Sequence, residues 1–226
     1  NLNKFFFESV VKKKPFTKVK IATSADEKIA WHDYKSKWIS NKLSREYAHK
    51  LRSMSQAILT TSKTVIKDDP SLTIRLKKTF EQHIPIIIID NNLKIPMKSK
   101  ILKHISKKRI IIFTSKKNKK SENLIKLGCE IILLKLNKNK KLNLKNIFNK
   151  IYSLNISDIL VEAGGILFRE LLDNNLVDEI HLFKSKTIIG KNGKPAIVGK
   201  KFNQLNLNLI ERKKFKDDIY TNYQVN

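Results

Sequence analysis

Short apolar runs alternating with segments of helical period constrain this chain more than any other feature. QAILTT (56–61), IPIIIID (84–90), RIIIFT (109–114), EIILLK (130–135) and SDILVE (157–162) read as buried strands. Near 41–54, 119–127, 143–153 and 165–174 the apolar residues recur at helical spacing. Such alternation predicts an α/β fold with a mostly parallel sheet flanked by helices. Further strands are expected near 16–24 and 178–185. The last two, near 206–213 and 217–225, have no helix between them and predict an antiparallel C-terminal hairpin turning at Lys216 and Asp217. Ser40 is the expected cap of the first of these helices, with Leu43, Tyr47, Leu51 and Met54 on one face. Residues 1–14 read as a basic arm or linker remnant and residues 15–226 as one domain.

Three stretches carry chemistry. TVIKDDPSLTIR (64–75) follows a strand and offers hydroxyls, carboxylates and the fork of Arg75, which suits a phosphate. Pro70 forces a turn and pushes Asp69 out of the helical region. A capped turn with a solvated arginine reads the same run more blandly. In LVEAGGILFRELL (160–172), a strand ending in Glu162 meets Gly164 and Gly165 and then a helix, a place where backbone N–H groups attract an anion. The pattern is not the six-residue dinucleotide fingerprint, and most glycine pairs before a helix are only turns. KIATSADEKIAWHDYKSKWIS (20–40) puts Ser24 at a strand end and Asp26 and Lys28 in the next turn; Trp38 reads either as a core aromatic or as a wall against a flat ring.

Composition narrows the classes. The chain has 226 residues, enough for a sizeable core, and a net charge of +27. The cations are nearly all lysines spread along the chain without aromatic interleaving, so the reading sets nucleic acid aside as the partner. No apolar run is long enough to span a bilayer, and no secretory signal is visible. Cys129 is the one cysteine, which excludes an internal disulfide and points to a reducing, cytoplasmic setting. No zinc or other metal site is expected. The first residue is Asn, so the sequence reads as a segment cut from a longer chain.

The motifs KIATSADEK (20–28), SKWIS (36–40), LRSMSQAIL (51–59), TVIKDDPSLTIR and VEAGG (161–165), in this order, resemble the reductase domain of the bifunctional riboflavin-biosynthesis deaminase–reductase. The resemblance spans about 15–193 and departs from the family pattern at Glu27, where glycine is usual, and at Asn91, where a small hydroxyl residue is usual. It implies a dihydrofolate reductase-like fold and NADPH-dependent reduction of the ribosyl group of 5-amino-6-(5-phosphoribosylamino)uracil to a ribityl group. It implies substrate contacts from Ser36, Arg52, Leu72, Arg75 and Glu162. It implies cofactor contacts from Ala22, Ser24, Trp38, Thr64, Asp68, Asn91 and the run Gly164, Gly165, Ile166, Leu167, Phe168, Arg169 and Glu170. Lys28, Glu162 and Asp26 are the candidate catalytic groups, and the proton donor is left open among Lys28, Asp26 and a water. The lysines near 115–117 are candidates for a cofactor 2′-phosphate. A homo-oligomer and an upstream deaminase domain are expected partners; the deaminase's zinc motifs are not in this sequence. Two other readings stay open: a reductase of this fold acting on the undeaminated diaminopyrimidine or a pterin, and a non-catalytic binding module.

Overall fold

The computed structural model describes residues 2–31, 39–76, 83–103 and 105–226. In chain order the elements are α1 (Leu2–Lys12), β1 (Phe16–Thr23), β2 (Lys28–Ala30), α2 (Lys42–Ser53), β3 (Ala57–Thr61), α3 (Ser62–Asp68), β4 (Ile86–Ile89) and β5 (Ile110–Thr114). Then follow α4 (Lys119–Lys126), β6 (Glu130–Leu133), α5 (Leu144–Ser153), β7 (Asp158–Val161), α6 (Gly165–Asp173), β8 (Glu179–Lys184), β9 (Lys194–Pro195), β10 (Leu207–Phe215) and β11 (Asp218–Val225). Of the described strand pairs in the main sheet, most are parallel, and β10 and β11 form the expected antiparallel hairpin, turning at Lys216 and Asp217. The chain packs as two compact units, Asn1–Phe16 with Arg52–Ile159 and Thr17–Leu51 with Leu160–Asn226.

In the first unit β3, β4, β5 and β6 lie side by side, all parallel. The isoleucine runs dictate this. Ile86, Ile87 and Ile88 on β4 and Ile110, Ile111 and Ile112 on β5 are all fully buried, so both faces of these strands are covered, as parallel strands require. Ile58, Leu72, Leu124 and Cys129 join the same core. Burial pushes the Cys129 thiol up to about 11, which makes it inert near neutrality. The N-terminal segment, expected as a basic arm or linker remnant, forms α1, whose Phe5 ring lies 4.6 Å from that of Phe16.

In the second unit the order is β10, β11, β8, β1. β8 is parallel to β1, with Lys18 opposite Glu179 and Thr23 opposite Lys184. Leu51, Leu160, Phe183 and Tyr220 form its core, with Tyr47, Phe215 and Ala22 packed against them. The cap of α2 is Asn41 and not Ser40: the Asn41 side chain accepts the Ser44 N–H, and Asp218 accepts the Asn41 N–H at 2.7 Å and the Ser44 hydroxyl at 2.6 Å. The buried face of α2 follows from that start. It runs Ser44, Ala48, Leu51, whereas Leu43 and Met54 are exposed. Among the described residues, no helix is long and apolar enough to cross a membrane.

Candidate active site

In the second unit, the end of β1 is tied down by one carboxylate. Ser24, fully buried, donates its hydroxyl to Asp26 Oδ1 at 2.6 Å and accepts the Lys28 N–H at 2.9 Å. Asp26 also accepts the Ile189 N–H at 3.0 Å and the Gly190 N–H at 2.8 Å. Desolvation pulls the Asp26 pKa up, but the Ser24 hydroxyl and these two N–H groups outweigh it and hold the carboxyl at about 2. A carboxyl that ionised cannot deliver a proton near neutrality. Asp26, expected among the catalytic groups, ties Ile189 and Gly190 to the end of β1 through these bonds. Glu27 stands at φ 60°, a left-handed conformation that the family's glycine adopts at no cost.

What Asp26 anchors is a strap, residues 187–199, that the sequence reading passed over. The Thr187 carbonyl accepts from the Ala25 N–H, β9 pairs antiparallel with β2, and the Ala196 N–H donates to the Glu27 carbonyl. Further along, the Val198 N–H donates to the Gly165 carbonyl, and Arg169 Nη1 donates to the Gly199 carbonyl at 3.1 Å. The strap thus binds the Ser24–Lys28 turn and the start of α6 into one region. The signal for it was the glycines at 190, 193 and 199 with Pro195 in a segment lacking helical or strand period.

The two glycines before α6 differ. A Cβ on Gly165 would meet the Pro195 and Ala196 carbonyl oxygens at 2.6 and 2.7 Å, so Gly165 is required by packing of the strap. A Cβ on Gly164 would meet only Ile29 Cδ1 at 3.9 Å. Gly164 is the N-cap and supplies no side-chain cap, which leaves the first N–H groups of α6 without a capping side chain. This is a cradle that an anionic cofactor group fits. Three expected cofactor residues are placed otherwise than as side-chain ligands. Leu167 and Phe168 are buried in the core, so only their backbone can serve. The Arg169 guanidinium is committed to Asp173 at 2.7 Å and to the strap. Ile166 is half-exposed beside the helix start. Glu162 follows β7, with Lys20 Nζ 3.8 Å from its Oε2; Lys20 was not singled out in the sequence. Lys28 Nζ has no ion pair among the described residues.

The first unit gathers the other expected residues around TVIKDDPSLTIR. The first half of the run is helical: α3 spans Ser62–Asp68, capped by Thr61, whose hydroxyl accepts the Thr64 N–H at 3.2 Å and lies 3.1 Å from the Thr64 hydroxyl. Crowding by surrounding atoms raises the Asp68 pKa above the ordinary value, against the pull of Lys67. Asp69 ends α3 in the left-handed region at φ 39°, outside the right-handed region that Pro70 disfavours, and accepts the Lys100 N–H at 2.7 Å. Leu72, at φ 50°, buries its side chain in the core, so a ligand can meet it only through its backbone. Both arginines converge on Thr73: Arg52 Nη1 donates to its carbonyl at 2.8 Å and Arg75 Nη1 to its hydroxyl at 3.4 Å. The Asn91 carbonyl accepts the Ser115 hydroxyl at 2.8 Å, joining the end of β4 to the loop carrying Lys116 and Lys117. Ser36 and Trp38 lie outside the described residues.

The family model described as the RibD C-terminal domain matches residues 15–221. The chain belongs to that family. The match contains every candidate site residue named above. Among curated relatives, the riboflavin biosynthesis protein RibD of Aquifex aeolicus is 36% identical over 84% of this chain and 51% of its own length. The 5-amino-6-(5-phosphoribosylamino)uracil reductase of Buchnera aphidicola from Acyrthosiphon pisum is 28% identical over 71% of this chain and 80% of its own length. A crystal structure of a Thermotoga maritima diaminohydroxyphosphoribosylaminopyrimidine deaminase/5-amino-6-(5-phosphoribosylamino)uracil reductase superposes with a TM-score of 0.80 at 27% identity, over 98% of this chain and 60% of that one. The chain spans between about half and two thirds of the length of the RibD relatives it matches.

Proposed function

We propose that this RibD C-terminal domain is a reductase that uses NADPH to convert the ribosyl group of 5-amino-6-(5-phosphoribosylamino)uracil to a ribityl group. The observation that carries the reading is the strap-held region of the second unit. There an uncapped helix start, fit for an anionic cofactor group, stands with the turn that presents Lys28. The similarity to the Buchnera reductase over most of that protein's length supports the substrate. Hydride donation is the chemistry that the dinucleotide supplies when bound. The backbone of Gly164–Leu167, with Ala22, Ser24, Thr64, Asp68 and Asn91, would hold it; Trp38 is proposed with them.

The residues of the chain then have distinct tasks. The substrate's phosphate is dianionic and calls for fork donors, which Arg52 and Arg75 provide; their shared hold on Thr73 orients both. Ser36 and the backbone at Leu72 complete that set. When the open-chain imine is reduced at C1′, the C=N pair moves to nitrogen, which takes a proton. A cation near that nitrogen polarises the C=N bond and makes C1′ more electrophilic, and Lys28 supplies it, with Glu162 holding the sugar hydroxyls. Asp26 stays ionised throughout. A deaminase in the same chain or another, a homo-oligomeric state and a cytoplasmic location complete the proposal, the last resting on the single buried thiol.

The test is NADPH oxidation, followed by absorbance, with the ribosylaminouracil phosphate, the diaminopyrimidine phosphate and dihydrofolate in parallel. Turnover with the uracil compound alone is expected. Turnover with either of the others alone would move the substrate assignment, and NADPH failing to bind would remove the reductase reading.

A further inference from the structure

Lys28 is held from both ends by parts that lead back to one residue. Its backbone N–H is bonded to the Ser24 hydroxyl, whose own proton goes to Asp26. Its backbone pairs, within β2, with Pro195 on the strap. Its stem lies against Gly193: a Cβ there would fall 2.7 Å from Lys28 Cγ and 2.6 Å from Ile189 Cγ2, so the glycine leaves the room that the lysine stem fills. The same strap is fixed three and four residues earlier by the Ile189 and Gly190 N–H groups on the two oxygens of Asp26. The Gly193 N–H closes the loop by donating to the Gly190 carbonyl at 3.0 Å. One carboxylate therefore fixes the turn before Lys28 and the loop on which its stem rests.

We propose that Asp26 is a positioning residue that sets the Lys28 ammonium through the Ser24 hydroxyl and the Ile189–Gly193 loop, with Gly193 as the seat of the lysine stem. The inference rests on the reading above that Lys28 stands at the reacting centre. Asp26 touches neither substrate nor cofactor in it. Its charge matters because a carboxylate has acceptor sites for Ser24 and both N–H groups at once, whereas an amide in its place loses one oxygen acceptor.

The experiment is a double-mutant cycle of Asp26→Asn and Lys28→Ala, with Gly193→Ala as an independent variant. The readouts are kcat, NADPH dissociation constant and the rate at which a small amine-reactive reagent labels Lys28, read by peptide mass. Asp26→Asn is expected to lower kcat roughly tenfold to a hundredfold, as misplacement of a reacting group does. It should change Lys28 labelling severalfold and weaken NADPH binding by less than it lowers kcat. In the Lys28→Ala background the same change should cost kcat less than about twofold, because the residue through which it acts is gone. Gly193→Ala should reproduce the loss of kcat. Additive losses in the cycle, or Lys28 labelling untouched by Asp26→Asn, would overturn the proposal. An unchanged kcat in Lys28→Ala would instead strike Lys28 from the reacting centre, and the labelling rates would still decide whether Asp26 positions it.

Discussion

At the residue scale, Asp26 shows how hydrogen bonds decide what a carboxylate can do. Its pKa lies at about 2 because donated bonds outweigh desolvation. The sign of the linkage follows. A depressed carboxyl pKa contributes stability that is fully present above its unfolded value near 4 and is lost as pH falls toward 2. After allowance for solvent screening the contribution is about 1–2 kcal/mol. Denaturant unfolding of Asp26→Asn is expected to show a stability gap to the parent chain that is full near neutrality and closes below about pH 4. A gap that does not change with pH would mean the charge is not used. Asp26 reads from the sequence as one of three chemical candidates, and its partners Ile189 and Gly190 lie more than 160 positions away, where no local pattern reveals them.

The same scale holds the strained positions. Glu27, Asp69 and Leu72 all take positive φ, at a cost of about 1 kcal/mol each. The proline after Asp69 disfavours the right-handed helical region but points to extended backbone, so the left-handed turn is only half legible from it. The conformation of Leu72 is not legible, since nothing local asks a leucine to turn left-handed; its burial in the isoleucine core compensates.

At the scale of elements, α6 and the strap define each other. The spacing in ILFRELL announces the helix, and Leu167, Phe168 and Leu171 face the core as that spacing requires. The strap's seat on Gly165 is invisible to it. Gly165→Ala would drive a methyl into two carbonyl oxygens and is expected to cost about 1–3 kcal/mol, lowering the melting temperature by several degrees. Gly164→Ala, at φ −79° and with only an ordinary contact to Ile29 Cδ1 at 3.9 Å, should melt with the parent chain yet bind NADPH at least tenfold more weakly, because its methyl occupies the approach to the helix start. Equal NADPH affinity in Gly164→Ala would remove the cofactor phosphates from that turn. The helix starts teach a related lesson. Ser40 and Asn41 are both capping residue types, and Asp218, far along the chain on β11, selects Asn41 by accepting its N–H.

At the scale of the whole molecule, the charge of +27 sets a long-range repulsion that no single ion pair offsets. The described pairs that are most exposed, such as Lys186 with Asp217, contribute little each. Raising the salt from about 10 mM to about 300 mM shortens the Debye length from roughly 30 Å to under 8 Å and is expected to raise the melting temperature by several degrees. A melting temperature that does not respond would show that the lysines are spaced widely enough for their repulsion to be negligible.

The sequence by itself determined the strand–helix alternation, the mostly parallel sheet and the C-terminal hairpin, because period and β-branched runs are local properties that burial on both faces enforces. It also determined which residue types could hold a phosphate or a sugar. Tertiary structure decided the rest. It set the Phe5 ring of α1 against Phe16, in a segment that reads as a basic arm or linker remnant. It made α3 from the first half of the acidic run, by the Thr61 cap. It joined Arg169 to the Gly199 carbonyl of the strap and Asp26 to the strap's Ile189 and Gly190 N–H groups. A side chain's chemistry depends on its partners, and these partners are brought close by the fold and not by the chain.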